Sequence, residues 1–128
     1  MKRGDQMTIN EKDLRRFSGS ETMTRFNSLF KNALLSEGAL YLAQEGQAFW
    51  FMDIIASVQG LEAVRAEPFQ VWRLKVNEDR SAIVTCDDGN ENILYTQAIP
   101  FTDFELEQVK VYATKDDQYL IIILPSEY

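Results

Sequence analysis

At Glu67-Pro68 the hydrophobic period of this 128-residue chain changes from 3.6 to 2, the signature of helices giving way to strands. Phe69 to Val76 alternates, with Gln70, Trp72, Leu74 and Val76 on one face and Phe69, Val71, Arg73 and Lys75 on the other. Asn77-Glu78-Asp79-Arg80 reads as a turn and Ser81 to Cys86 as a second strand. Asp88-Gly89 marks a hairpin, because glycine takes a positive φ at little cost. Asn92 to Ile99 is a third strand stopped by Pro100. Glu107 to Thr114 and Gln118 to Leu124 form a last hairpin around Lys115-Asp116-Asp117. Short connections favour antiparallel neighbours, so a four- to five-stranded antiparallel meander is expected, with about three helices packed on one of its faces. The fold class is α+β in a single domain, 1–128, with 1–10 flexible.

Before that boundary the helical signals are local. Thr8 with Glu11 has capping-box spacing, and Leu14 and Phe17 make a small apolar face before Ser18-Gly19-Ser20. Residues 20–34 fit a helical period through Phe26, Leu29, Phe30, Ala33 and Leu34, although Asn and Ser are frequent there. Ser36 can cap a helix to about Glu45, with Glu37 in its first turn and Gly46 as its stop. A helix over 48–59 follows. It is apolar nearly all round, which predicts burial on most sides and makes it the expected centre of the core.

Composition then removes functional classes. There is no histidine, which excludes imidazole acid–base catalysis, Ser-His-Asp and Cys-His nucleophiles, and nearly all zinc sites. No phosphate-binding or dinucleotide-binding glycine pattern occurs, and no metal or cofactor is expected. The single Cys86 has no intramolecular partner and reads as a small buried hydrophobe. Met1-Lys2-Arg3-Gly4-Asp5 leads into polar sequence, not an apolar signal core. The longest apolar run, Ala48 to Val58, contains Asp53 and falls well short of the roughly 20 residues a membrane span needs. A cytoplasmic protein without membrane contact is expected.

Charge is unevenly placed. Residues 1–34 hold seven Lys/Arg and four Asp/Glu; residues 35–128 hold six and sixteen, in a chain of net charge −7. A negative sheet half repels phosphate, so direct nucleic-acid binding is not expected outside the basic N-terminal segment of Arg15, Arg16, Arg25 and Lys31.

The remaining candidates are carboxylates and aromatics. Asp53 lies in the middle of the most apolar helix. It is either a core anchor accepting hydrogen bonds or a pocket group for acid–base or ligand chemistry, with Asp103 or Glu127 as companions. Asp87, Asp88, Asn90 and Glu91 offer oxygen ligands at a hairpin, but Asp-Gly is what a tight turn requires anyway. Pro100-Phe101-Thr102-Asp103-Phe104 is a loop in which Thr102 and Asp103 can cap backbone amides while Phe101 and Phe104 pack on the sheet edge. Alternatively Trp72, Tyr95, Phe101, Phe104 and Tyr112, with Asp103, line a surface patch for a partner.

An ordered set of short motifs accompanies these features. They are Gly19-Ser20-Glu21, Ala48-Phe49-Trp50-Phe51-Met52-Asp53-Ile54-Ile55-Ala56-Ser57, Phe69-Gln70-Val71-Trp72-Arg73-Leu74, Asp88-Gly89-Asn90, Gln97-Ala98-Ile99-Pro100-Phe101-Thr102-Asp103-Phe104 and Leu124-Pro125-Ser126-Glu127-Tyr128. Over about residues 14–128 their order resembles the bacterial family catalogued as domain of unknown function 6876. The chain departs from that pattern where family members carry an Arg-His pair and it has Thr24-Arg25-Phe26. The resemblance implies no activity; it implies a setting on plasmids, phages and other mobile elements. The expected function is a non-enzymatic protein-interaction module, an accessory or inhibitor protein with an unidentified protein partner or a second copy of itself. The alternative is a small-ligand binder or carboxylate enzyme centred on Asp53.

Overall fold

The structure is a computed structural model and describes residues 22–128. The helix expected from Thr8, the segment 1–10 expected to be flexible, and the residues Arg15 and Arg16 lie outside that range. Among the described residues the order of elements is β1 (Thr24–Arg25), β2 (Ala33–Leu35), α1 (Glu37–Glu45), α2 (Phe49–Ser57), a 3-10 turn (Val58–Gly60), α3 (Glu62–Arg65), β3 (Phe69–Val76), β4 (Ala82–Asp87), β5 (Ile93–Ile99), β6 (Gln108–Asp116), β7 (Tyr119–Ile123) and a 3-10 turn (Pro125–Glu127). Among the described residues no helix is long and apolar enough to cross a membrane.

The α+β class holds, but the sheet is larger than expected and mixed. Its seven strands run β1-β2-β7-β6-β3-β4-β5, with β2 parallel to β7 and the other neighbours antiparallel. A simple meander would place β6 beside β5. Instead β6 returns to the far side of β3, so that β3 to β6 form a Greek key. The physical cause is the connection between Ile99 and Gln108, which spans the end of the sheet and is anchored on both sides. Arg80 donates to the carbonyls of Thr102 (3.0 Å) and Phe104 (2.6 Å), and Thr102 N–H donates back to Arg80 O (2.8 Å). Phe104 fills the core, and Val76 N–H donates to Glu107 O (2.7 Å), which delivers β6 to the free edge of β3.

The helical period over 20–34 is also overturned. The segment forms β1, turns at Asn27–Phe30 and then β2, whose residues pair with Leu120, Ile121 and Ile122. Three residues are too few to show a strand period, and a parallel partner some 87 positions away leaves no local trace. By contrast α1 forms as its capping residues dictate: Ser36 Oγ accepts from Ala39 N–H at 3.1 Å. Gly46 caps the end of the helix, where a side chain would not fit: a Cβ there would stand 2.7 Å from Leu42 O and 2.9 Å from the Phe104 ring.

One hydrophobic core joins Leu42 and Ala43 of α1, Phe51, Met52 and Ile55 of α2, and Val64 of α3 to the inward residues of β3, β4, β6 and β7. Gln70, Trp72, Leu74 and Val76, expected to share a face of β3, are all buried, so that face is the inward one. The helix α2 is less enclosed than its composition predicts. Phe51, Met52, Ile55 and Ala56 are buried, while Trp50, Asp53 and Ile54 are half-buried.

A buried amide stitches these layers together. Gln70 Oε1 accepts from Trp72 Nε1 (3.0 Å) and Gln59 Nε2 (2.8 Å). Its Nε2 donates to Gln59 Oε1, Val64 O and Glu67 O, each at 3.0 Å. A polar side chain on the core face is thereby satisfied, and so is the indole N–H of the largest core residue.

Candidate functional site

The expected site residues do not converge. Asp53 is half-buried and accepts from Asn27 Nδ2 at 3.0 Å, so its observed partner is a loop amide. Asp103 is exposed in the β5–β6 connection, in a shallow pocket beside Glu45, Gly46 and Gln47. Glu127 is bound at the start of α1. Its carboxylate accepts from Ser36 Oγ (2.6 Å), Gly38 N–H (2.9 Å) and Leu124 N–H (2.8 Å), where first-turn amides without an intrahelical partner and the helix dipole favour a negative charge. Three carboxylates at three separate places do not form an acid–base pair.

The expected aromatic patch is divided by the sheet. Trp72 and Phe104 are core residues, which corrects their assignment to a surface: each lies on the inward side, where burying a large ring is most favourable. Tyr95 is half-buried on the same side, its ring 6.1 Å from that of Trp72 and its hydroxyl donating to Gln97 at 2.7 Å. Phe101 is 68% exposed directly after β5. Tyr112 projects from the opposite face.

The hairpin after β4 is structural. Asp88 accepts from Asn92 Nδ2, Asn90 N–H and Asn92 N–H, and those bonds, the Asn92 side chain foremost, hold its carboxyl below the usual range. Gly89 adopts φ +89° and lies over Phe69 and Val71, covering a valine outside the main core. No group of three carboxylate or thiol ligands placed to hold a metal occurs among the described residues.

The surface that the sequence did not reveal is the outward face of the central strands. Arg73 of β3 stands directly opposite Lys110 of β6 and Thr85 of β4, and Lys75 opposite Ile83 and Gln108. These residues, with Leu74 and Val109, line an open groove of about 450 Å³. Arg73 Nε donates to Asp87 Oδ2 at 3.0 Å, and Asp87 is itself buried. Among the described residues no carboxylate pairs with Lys75 or Lys110. Lys110 Nζ lies 5.7 Å from the centroid of the Tyr112 ring, and that ring packs against Phe69 (4.9 Å) and Tyr128 (5.5 Å). The alternation of β3 could have shown that Arg73 and Lys75 share a face. Their meeting with Lys110 needed the β3–β6 register.

A second cleft, about 460 Å³, lies between the segment Phe30–Ala33, the end of α2 at Ala56, and the β6–β7 hairpin. Asp53 does not line it. Lys115 does, with its ammonium donating to Arg65 O; partial burial, and then the charge of Arg65, lower its pKa.

At the end of the sheet, β5 offers a different kind of surface. Its outer edge has no strand partner among the described residues. Ile93 to Ile99 contains neither a charge nor a proline, and a register shift opposite Cys86 and Asp87 leaves Tyr95 to Ile99 as the regular stretch.

Comparison with known proteins bears on the fold and not on chemistry. No curated protein matches the chain. The crystal structure of a protein of unknown function from Enterococcus faecalis is similar at a TM-score of 0.53 and 17% identity, over 84% of this chain and 98% of that one, which is a likeness of fold alone. A family model, described as a family of unknown function (DUF6876), matches residues 8–128, and the chain belongs to that family.

Proposed function

We propose that this protein is a non-enzymatic protein-interaction module of the cytoplasm that accepts an extended segment of a partner protein along β5. The observation that carries the reading is the character of that edge. A terminal strand presents unpaired N–H and C=O groups, and natural edges are commonly blunted with lysine, proline or extreme shortness. The opposite edge, β1, is two residues long; β5 is seven, with no charge and no proline. Ile93, 59% exposed, and Phe101, 68% exposed, flank it with apolar surface. Main-chain pairing would supply affinity and these side chains specificity, as in strand addition generally. The dispersal of Asp53, Asp103 and Glu127 supports an interaction role over a carboxylate enzyme.

Affinity capture from native cells tests this. The unaltered protein is expected to recover a stoichiometric partner, and Phe101→Asp and Thr96→Lys to lose it without change in melting temperature. Recovery of no such partner, or its retention by both variants, would refute the proposal. Light scattering at two concentrations distinguishes a second copy of the chain from a different protein.

A further inference from the structure

We infer that the outward face of the sheet carries a separate binding site, for an extended acidic peptide segment of a partner protein, in the groove framed by Arg73, Lys75 and Lys110. The site lies on a face and not an edge, so it does not depend on the role proposed for β5.

Charge distribution is the first argument. Residues 35–128 contain six Lys/Arg against sixteen Asp/Glu, yet three of those six cations frame one groove whose lining holds no carboxylate. The second argument is the register. Arg73 and Lys110 are direct cross-strand neighbours, an arrangement of like charges that destabilises a bare sheet. An anion lying between them removes that repulsion. Asp87 holds the Arg73 guanidinium by its Nε alone, which orients the fork and leaves its two terminal nitrogens without a hydrogen bond among the described residues. Such a fork matches a carboxylate at two points.

Spacing then selects the ligand. Arg73 and Lys75, two residues apart on β3, are separated by about 6.6–6.8 Å along the strand, which is also the distance between alternate side chains of an extended peptide. Acidic residues at alternate positions can therefore meet both cations. Ile83, 42% exposed and opposite Lys75, offers an apolar contact beside them. A nucleic-acid strand fits less well. Three cations neutralise few phosphates in a protein of net charge −7, and the neighbouring rings of Phe69, Tyr112 and Tyr128 already pack on one another at 4.9–5.5 Å.

The test uses fluorescence anisotropy with a labelled hexapeptide of alternating glutamate and isoleucine, its glutamine analogue, and a labelled oligothymidylate of equal charge. Saturable binding of the acidic peptide is expected, at least tenfold tighter than either comparator. Lys110→Glu should weaken it at least tenfold, whereas Lys31→Glu, the same charge change away from the groove, should alter it less than twofold. Phe101→Asp should leave it unchanged, which separates this site from the β5 edge. Binding no better than the glutamine analogue, equal loss in the two lysine variants, or tighter binding of the oligothymidylate would each overturn the inference.

Discussion

Replacing Gln70 by leucine, nearly the same size, tests how the core of this protein tolerates a polar group. The substitution removes the acceptor of Trp72 Nε1, a donor within a fully buried residue, and the donor to Glu67 O. Val64 O keeps a second partner in Glu67 N–H, and Gln59, half-buried, still donates to Ile55 O. The indole N–H dominates the cost, since a buried donor left unpaired costs about 1–3 kcal/mol. With about 1 kcal/mol more for the Glu67 carbonyl, and some return from added apolar surface, the expected loss is about 3 kcal/mol. For a chain of this length 1 kcal/mol corresponds to about 4 °C, so the melting temperature should fall by roughly 10 °C. Gln59→Leu leaves Gln70 with its Trp72, Val64 and Glu67 bonds and should cost about 1 kcal/mol or less. In the double variant the Gln59 change should add almost nothing, because its partner is already gone. Thermal and urea unfolding followed by circular dichroism measure all three. A Gln70→Leu protein melting within 2 °C of the parent, or no lower than Gln59→Leu, would refute the reasoning.

Three further perturbations follow from the same geometry. Glu127→Ala removes the acceptor of three hydrogen bonds at the start of α1 and should cost about 1–2 kcal/mol given its partial exposure, with Glu127→Gln recovering part of that loss in urea titrations. The Cys86 thiol is pushed up to about 12, by burial first and then by the carboxylates of Asp87 and Glu67. Because the folded value lies above the ordinary thiol value of 9.0, its contribution to stability is complete below pH 9 and is lost as pH rises from 9 towards 12. Unfolding titrations should therefore be steeper across that window for the parent than for Cys86→Ala, and a thiol reagent at pH 8 should label Cys86 only in denaturant. Asp53→Ala, which loses a bond to a half-buried loop amide, should cost only about 1 kcal/mol by thermal melting; a loss above 3 kcal/mol would show Asp53 to be a core anchor after all.

Local chemistry made much of this fold legible. The strands β3, β4, β5, β6 and β7 lie where alternation and turn residues put them, because period 2 and a glycine at positive φ are properties of a few adjacent residues. Ser36 and Gly46 likewise bound α1 through contacts within a turn or two. Trp72 shares a face with Leu74 and Val76, and it does not join a surface patch because that face is the buried one, where Gln70 on the same strand accepts from its indole N–H.

What the chain determined by itself is therefore class, most element positions, which residues of β3 share a face, and the absence of histidine chemistry. The order of strands was decided only in three dimensions. The Ile99–Gln108 connection, held by Arg80 and plugged by Phe104, carries β6 past two strands to β3, and β2 finds β7 across most of the chain. That ordering leaves β5 at the edge and sets Lys110 opposite Arg73. Both candidate surfaces are products of pairing between distant segments, and neither hydrophobic period nor local charge records which strand a segment will meet.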